Sequence, residues 1–209
     1  MWKKFLTLGL VITVLTAAGC QKEHAVSDPN MQVTLIGTSQ FPPQLVGLWW
    51  NEEHGWAFRF DRTGRIPEIV HTFGRFIVRS GQPITHPMVD NGTAVIVPGK
   101  WFVEYDAKSR QITIEINLDS YDLNIGQNNI SGSSRDVFSG TIPEPGQIKW
   151  SLNWLMFPEN YVTTADGQFV NHHLPVTDDE RDQGMIEFVK LRPKDEADLP
   201  TALSDPSAQ

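Results

Sequence analysis

Two glutamates come nearest to a catalytic pair in type and spacing. Glu104 and Glu115 flank the segment 106–109, Asp-Ala-Lys-Ser, which is typical of a hairpin turn and would place them on neighbouring strands. A glycosidase needs two such carboxyl groups about 5 to 9 Å apart. Both glutamates alternate with apolar neighbours, so we expect them on the solvated outer face of a sheet instead of in a cleft.

Two adjacent histidines offer a case for metal binding. His172 and His173 would point to opposite faces if they lay on a strand. The acidic run 178–180, Asp-Asp-Glu, lies close enough in sequence to complete a ligand set, but the usual ligand spacings are absent. We therefore predict a solvated acidic loop here, with no metal.

Other catalytic motifs are absent. The sequence contains no G-x-S-x-G nucleophile elbow, no phosphate-binding glycine loop and no H-E-x-x-H helix, so we predict no cofactor and no enzymatic activity. His54, which precedes Gly55, is predicted to lie in a hairpin turn. An enzyme would require a cleft in which two or more of these residues converge: Glu104, Glu115, Asp119, His172 and His173.

Three tryptophans are candidate ligand contacts. Trp50 follows Trp49, so on a strand the two side chains must point to opposite faces. Trp150 and Trp154 belong to the clearest alternation of apolar and polar residues in the chain, over residues 147–156. Such tryptophans either contact a ligand or partner or fill a core, and the pattern leaves both readings open.

Residues 1–19 have the layout of a secretory signal peptide. Lys3 and Lys4 precede the apolar run 5–18, and small residues follow before Cys20. That run is shorter than the about 20 apolar residues of a membrane-spanning helix. We expect the segment to be removed on export.

Residues 15–20, Leu-Thr-Ala-Ala-Gly-Cys, resemble the lipobox of bacterial lipoproteins. In that family the cysteine thiol receives a diacylglycerol, the chain is cut before the cysteine, and the new amino group is acylated. The resemblance implies that Cys20 is the mature N-terminus and anchors the chain in a membrane. In enterobacterial members an Asp after the cysteine signals inner-membrane retention; Gln21 stands there in this chain, which favours the outer membrane of the cell envelope.

Composition narrows the range of partners. The formal net charge is −8, and loss of Lys3 and Lys4 with the signal would make the chain still more acidic, which opposes binding to nucleic acid and to anionic lipid headgroups. Cys20 is the only cysteine, and lipidation would consume its thiol, so we expect no disulfide, no cysteine nucleophile and no cysteine-ligated metal.

The chain is expected to form one all-β domain over residues 45–192. A lipidated tether over 20–44 precedes it, in which 31–36 could add a short edge strand, and a disordered tail over 193–209 follows. Residues 157–184 are expected to form a long loop. A change of apolar parity predicts a bulge or turn between Asp119 and Asp122. The other predicted strands cover residues 56–60, 66–73, 76–79, 93–97, 101–105, 112–118, 135–142, 148–156 and 185–191.

Nine or ten short antiparallel strands with hairpin spacing predict a β-barrel or a β-sandwich. Gly47-Leu48-Trp49 is similar to the G-x-W that opens lipocalin-type barrels, and Arg192 stands where that family places an arginine across the tryptophan. The resemblance implies an up-and-down barrel whose mouth takes an apolar ligand. Without this resemblance, the simplest interpretation is that Trp49 is buried at one end of a barrel or sandwich core.

Two functions follow. The first is a non-enzymatic envelope lipoprotein whose domain contacts another envelope component. The second is a lipocalin-like binder of an apolar small molecule.

Overall fold

The fold is all-β, as the alternation predicts. The computed structural model describes residues 23–71, 76–88, 91–125, 128–165, 168–171 and 183–192, with side chains described for 28–71, 76–88, 91–124, 129–157 and 183–192. These ranges contain no α-helix, and residues Pro43–Leu45 form a 3-10 turn. The strands are β1 (Glu23–Asp28), β2 (Met31–Ile36), β3 (Gly47–Asn51), β4 (Trp56–Phe60), β5 (Glu68–His71), β6 (Phe76–Arg79), β7 (Ile84–Pro87), β8 (Thr93–Pro98), β9 (Trp101–Asp106), β10 (Gln111–Ile125), β11 (Asn128–Thr141), β12 (Lys149–Ala165), β13 (Gln168–Asn171) and β14 (Gln183–Lys190).

All fourteen strands belong to one mixed sheet that curls into a half-barrel. The main path of hydrogen-bonded neighbours is β1, β2, β9, β10, β11, β12, β14, β3, β4, β5 and β6. The last strand of this path, β6, contacts β8, which pairs with β10 near the other end of the path. The curl therefore brings distant parts of the sheet around a common interior.

The strand β10 is long enough to pair with two strands on one side. Its first part pairs with β9 and its second part with β8, so β8 and β9 run along it in succession. The register of β10 against β11 shifts between Leu118 and Tyr121. This shift confirms the predicted irregularity between Asp119 and Asp122, because an extra residue restores the buried parity.

The N-terminal segment departs from the predicted tether. β1 and β2 form a hairpin, and β2 pairs in parallel with β9, which makes the sheet mixed instead of a pure antiparallel meander. Met31, Val33 and Leu35 on β2 are buried, and Phe41 and Leu45 join the same core. The domain thus includes residues that we assigned to the tether, because this short apolar run covers an edge of the sheet.

The prediction of a long loop over residues 157–184 is also partly wrong. β12 continues to Ala165, and β13 pairs with its end. Pro158 lies within β12 opposite Ser134, although proline is generally a strand breaker. Backbone pairing with the long β11 therefore outweighs the poor local periodicity. Residues 172–182 and the tail 193–209 lie outside the described residues.

Aromatic side chains fill the interior. Trp49, Trp56 and Trp101 are 0% exposed. The ring of Phe138 lies 5.0 Å from that of Trp56 and 4.8 Å from that of Phe58, measured between centroids. We call the following set the aromatic core: Trp49, Trp56, Phe58, Phe60, Phe138, Trp150, Trp154 and Phe188.

Gly64 closes the turn after β4, and its replacement by alanine is expected to destabilise the fold. Its φ is +87°, and an added Cβ would lie 2.5 Å from Cδ2 of the buried Phe41. The left-handed backbone alone costs a non-glycine residue about 1 to 2 kcal/mol. The steric clash adds about 1 to 3 kcal/mol, as overpacked sites do. Urea unfolding of Gly64→Ala measures the total.

Gly146→Ala is the matched control. Gly146 has a φ of +88°, and nothing lies within 4 Å of an added Cβ. Its alanine variant should therefore lose only the backbone contribution. Equal losses in the two variants would contradict a specific contact between Gly64 and Phe41.

Candidate functional site

A histidine and an aspartate are buried together beside the aromatic core. His71 on β5 and Asp136 on β11 are both 0% exposed, and His71 Nε2 lies 3.5 Å from Asp136 Oδ2. Trp154 Nε1 donates a hydrogen bond of 2.9 Å to Asp136 Oδ1. The ring of Trp56 lies 4.5 Å from the His71 ring. We call His71 and Asp136 the buried polar pair.

Several buried polar atoms around this pair lack a hydrogen bond within the described part of the chain. They include Trp56 Nε1, Ser134 Oγ and Asp136 Oδ2. Each such group costs about 1 to 3 kcal/mol when it leaves water without a full replacement. Burial of this pair in an apolar interior therefore lowers the free energy of unfolding. It is also closed to substrates, because neither side chain reaches the surface.

The sequence pattern alone did not single out the buried polar pair. His71 shares the inward face of β5 with Ile69, and Asp136 shares that of β11 with Ser134 and Phe138. The available signal was positional: each lies two residues from a buried apolar residue, so period two places both in the core. A polar residue at such a position is the informative exception.

The predicted carboxylate pair lies on the outer face of the sheet. Glu104 is exposed, and Glu115 is half-buried opposite Phe102 with its Oε1 accepting a 3.0 Å hydrogen bond from Asn117 Nδ2. Asp119 is exposed as well. All three stay apart from the buried polar pair. This arrangement follows the predicted solvated face and gives no cleft.

The histidines divide between described and undescribed residues. His54 lies in the turn between β3 and β4, where its backbone N–H donates to Asn51 Oδ1 over 2.7 Å, which confirms the predicted turn. His172, His173 and the acidic run 178–180 lie outside the described residues, as does Cys20. Across the described ranges, no three His, Cys, Asp or Glu residues group in a way that could hold a metal ion.

The structure separates the three candidate tryptophans. Trp50 is half-buried on the outer face beside a small apolar cluster of Leu48, Ala57 and Val70. Trp150 and Trp154 are 2% and 6% exposed and belong to the aromatic core. Their indole N–H groups are already engaged, that of Trp150 by the Thr141 carbonyl and that of Trp154 by Asp136.

Trp49 is held from both sides at one end of the half-barrel. Its Nε1 donates to the Leu45 carbonyl over 2.8 Å, and Lys190 Nζ lies 5.5 Å from its ring centroid. Burial lowers the pKa of Lys190. A cation therefore does cover this tryptophan, but it is Lys190, whereas Arg192 is exposed.

Two depressions of about 300 Å³ each lie elsewhere and have mainly polar linings. One lies at the register shift of β10, and its lining includes Asn117, Asp119 and Arg135. The other contains an ion pair in which Arg65 Nη2 and Asp28 Oδ2 are 2.8 Å apart. Neither gathers the predicted catalytic residues.

In the described residues there is no helix with the length and apolarity needed to cross a membrane. Comparisons of the chain with protein-family models, with curated proteins and with solved structures returned no match.

Proposed function

We propose that this protein is a lipid-anchored, non-enzymatic protein of the bacterial cell envelope whose β-domain acts by contacting another envelope component. Acyl chains on Cys20 would supply the attachment to the membrane, and the outer membrane is the favoured address. The surface of the half-barrel would supply the specific contacts.

The aromatic packing of the described interior is the observation that supports this proposal. A carrier of apolar molecules holds its ligand in a cavity of about 300 to 1,000 Å³ lined mostly by apolar groups. Here fully buried rings such as Trp56, Phe58 and Phe138 occupy the inside of the curl. This packing favours action through the surface.

A lipocalin-like binder of an apolar molecule is the second candidate. It is favoured by the curl of the sheet and by the cation over Trp49 of the Gly47-Leu48-Trp49 motif. Its ligand would have to displace core side chains or bind at the rim. An enzyme is less favoured, because Glu104 and Glu115 are diagonal neighbours on the outer face of the sheet, Asp119 is exposed, and the buried polar pair is enclosed.

Replacing Cys20 with alanine tests the proposal in cells. We expect the variant to keep residues 1–19 and run larger on a gel, because cleavage of lipoproteins follows acylation. We also expect it to lose incorporated fatty acid and to lose a crosslinked partner that the native protein captures from intact cells. The readouts are gel mobility, labelled-palmitate incorporation and crosslinking with mass spectrometry.

Lys22→Ala is the control, since it alters a residue beside Cys20 and leaves the thiol in place. It should match the native protein in all three readouts. A Cys20→Ala protein of native size and native membrane attachment would refute the anchor. A native protein that yields only monomer under several crosslinking chemistries would count against the partner.

A further inference from the structure

The fold specifies how an anchored domain would stand on the membrane. We define the anchor-side end as the connections 37–40, 106–110 and 142–148, and the distal end as the tips of β10 and β11. We infer that the anchor-side end rests on the lipid surface of the membrane while the distal end points away from it. This inference rests on the proposed lipid anchor.

The first strand begins at the anchor-side end. Glu23 pairs with Ile36 across the β1–β2 hairpin, and Ile36 pairs with Asp106 at the end of β9. The Ala107 N–H donates to the Ile36 carbonyl over 3.0 Å. Only β2 therefore separates the start of β1 from Ala107, where the 107–110 turn begins.

The other anchor-side connections are bonded to the same turn. The Ile142 N–H donates to the Arg110 carbonyl over 3.0 Å, and the Arg110 guanidinium pairs with the Glu144 carboxylate. Gln44 Nε2 donates to the Pro143 carbonyl over 3.5 Å. These connections form one continuous surface around the start of β1.

Chain length limits where the lipid can attach. Glu23 is the third residue after Cys20, so the two are separated by at most about 11 Å of extended chain. The 15 residues of β10 span about 50 Å from Gln111 to Ile125. An anchor on Cys20 reaches the anchor-side connections and falls far short of the tips of β10 and β11.

Charge distinguishes the two ends. At the anchor-side end the positive charges of Lys108 and Arg110 are balanced by the carboxylates of Asp106 and Glu144, and Ile148 is 60% accessible. At the distal end Asp122 lies near the tip of β10, while residues 121–125 and 128–133 contain no Lys or Arg.

Anionic headgroups repel carboxylates over about a Debye length. They therefore oppose contact by the distal end, where Asp122 has no Lys or Arg nearby in sequence, more than contact by the anchor-side end, where the charges balance. Ile148 would add a small apolar contact at the headgroup boundary. Chain length carries the orientation, and the charge distribution agrees with it.

Single cysteines placed at the two ends test the orientation. Ser109→Cys lies in the 107–110 turn and Asn124→Cys near the tip of β10, and both positions are exposed. The full lipidated protein would be purified, labelled with a thiol-reactive fluorophore and reconstituted in phosphatidylcholine–phosphatidylglycerol vesicles containing a headgroup-nitroxide lipid. We expect the label at 109 to lose most of its fluorescence and the label at 124 to lose none above background.

Equal quenching at the two positions, or stronger quenching at 124, would overturn the orientation. Lys108→Cys and Ile130→Cys provide a second pair of exposed positions, so the test holds if circular dichroism shows that one variant is misfolded. The native protein distinguishes failure of the anchor itself, because its thiol should be acylated. Uptake of the fluorophore by the native protein would refute lipidation at Cys20 and not the orientation.

Discussion

Replacing Asp136 with alanine is expected to lower the free energy of unfolding by about 3 to 5 kcal/mol. The carboxylate lies 3.5 Å from His71 Nε2 and accepts a hydrogen bond from Trp154 Nε1. Its removal leaves the Trp154 indole N–H and the His71 ring buried beside a small cavity. Most domains have only about 5 to 15 kcal/mol of stability in total, so the loss should be a large shift in the urea midpoint.

A double-mutant cycle separates the pair from general damage to the core. His71→Leu alone, Asp136→Ala alone and the two together should give a coupling energy of about 0.5 to 3 kcal/mol. Trp154→Phe should lower the free energy of unfolding by less than Asp136→Ala does, because it removes one hydrogen-bond donor and keeps an aromatic ring. An Asp136→Ala loss below about 1 kcal/mol would show that the buried polar pair is not an energetic unit.

Phe138→Ala is expected to destabilise the fold by about 3 to 5 kcal/mol. Phe138 is 0% exposed, and its ring contacts those of Trp56 and Phe58. Truncation removes apolar contact area and edge-to-face ring pairs, and it leaves a cavity that the curled sheet can close only in part. Thermal or urea unfolding, followed by tryptophan fluorescence, measures the loss.

Phe138→Leu is the corresponding control, because it keeps an apolar side chain of intermediate size. It should recover part of the loss that Phe138→Ala shows. A Phe138→Ala variant with native stability would mean that the interior tolerates a cavity. Such tolerance would favour the carrier function over the surface function.

Regular alternation made the central strands predictable. Trp56, Phe58 and Phe60 were expected on one face, and all three are buried. The same pattern placed Glu104 on the outer face and located the irregularity in β10. These features depend on local periodicity and turn residues, which a sequence displays directly.

Features that depend on distant pairing were not predictable in this way. β2 pairs in parallel with β9, and β12 extends through Pro158 because the long β11 lies beside it. His71 and Asp136 are far apart in the chain and meet only when the sheet curls. The local sequence around either residue does not indicate which residue it contacts.

The two halves of the proposal depend on different parts of the chain. The lipid anchor is inferred from Cys20 and the residues before it. Action through the surface is inferred from the aromatic core, because its rings occupy the space that an internal ligand would need. Either half can fail without the other. A single measurement that reports on both is therefore the most direct test.

Mass spectrometry of the protein purified from membranes in mild detergent, under native and then denaturing conditions, provides that measurement. We predict the mass of residues 20–209 plus acyl groups in both conditions. A small molecule that is present at one copy per chain and released on denaturation would contradict the filled interior. An unacylated mass would contradict the anchor.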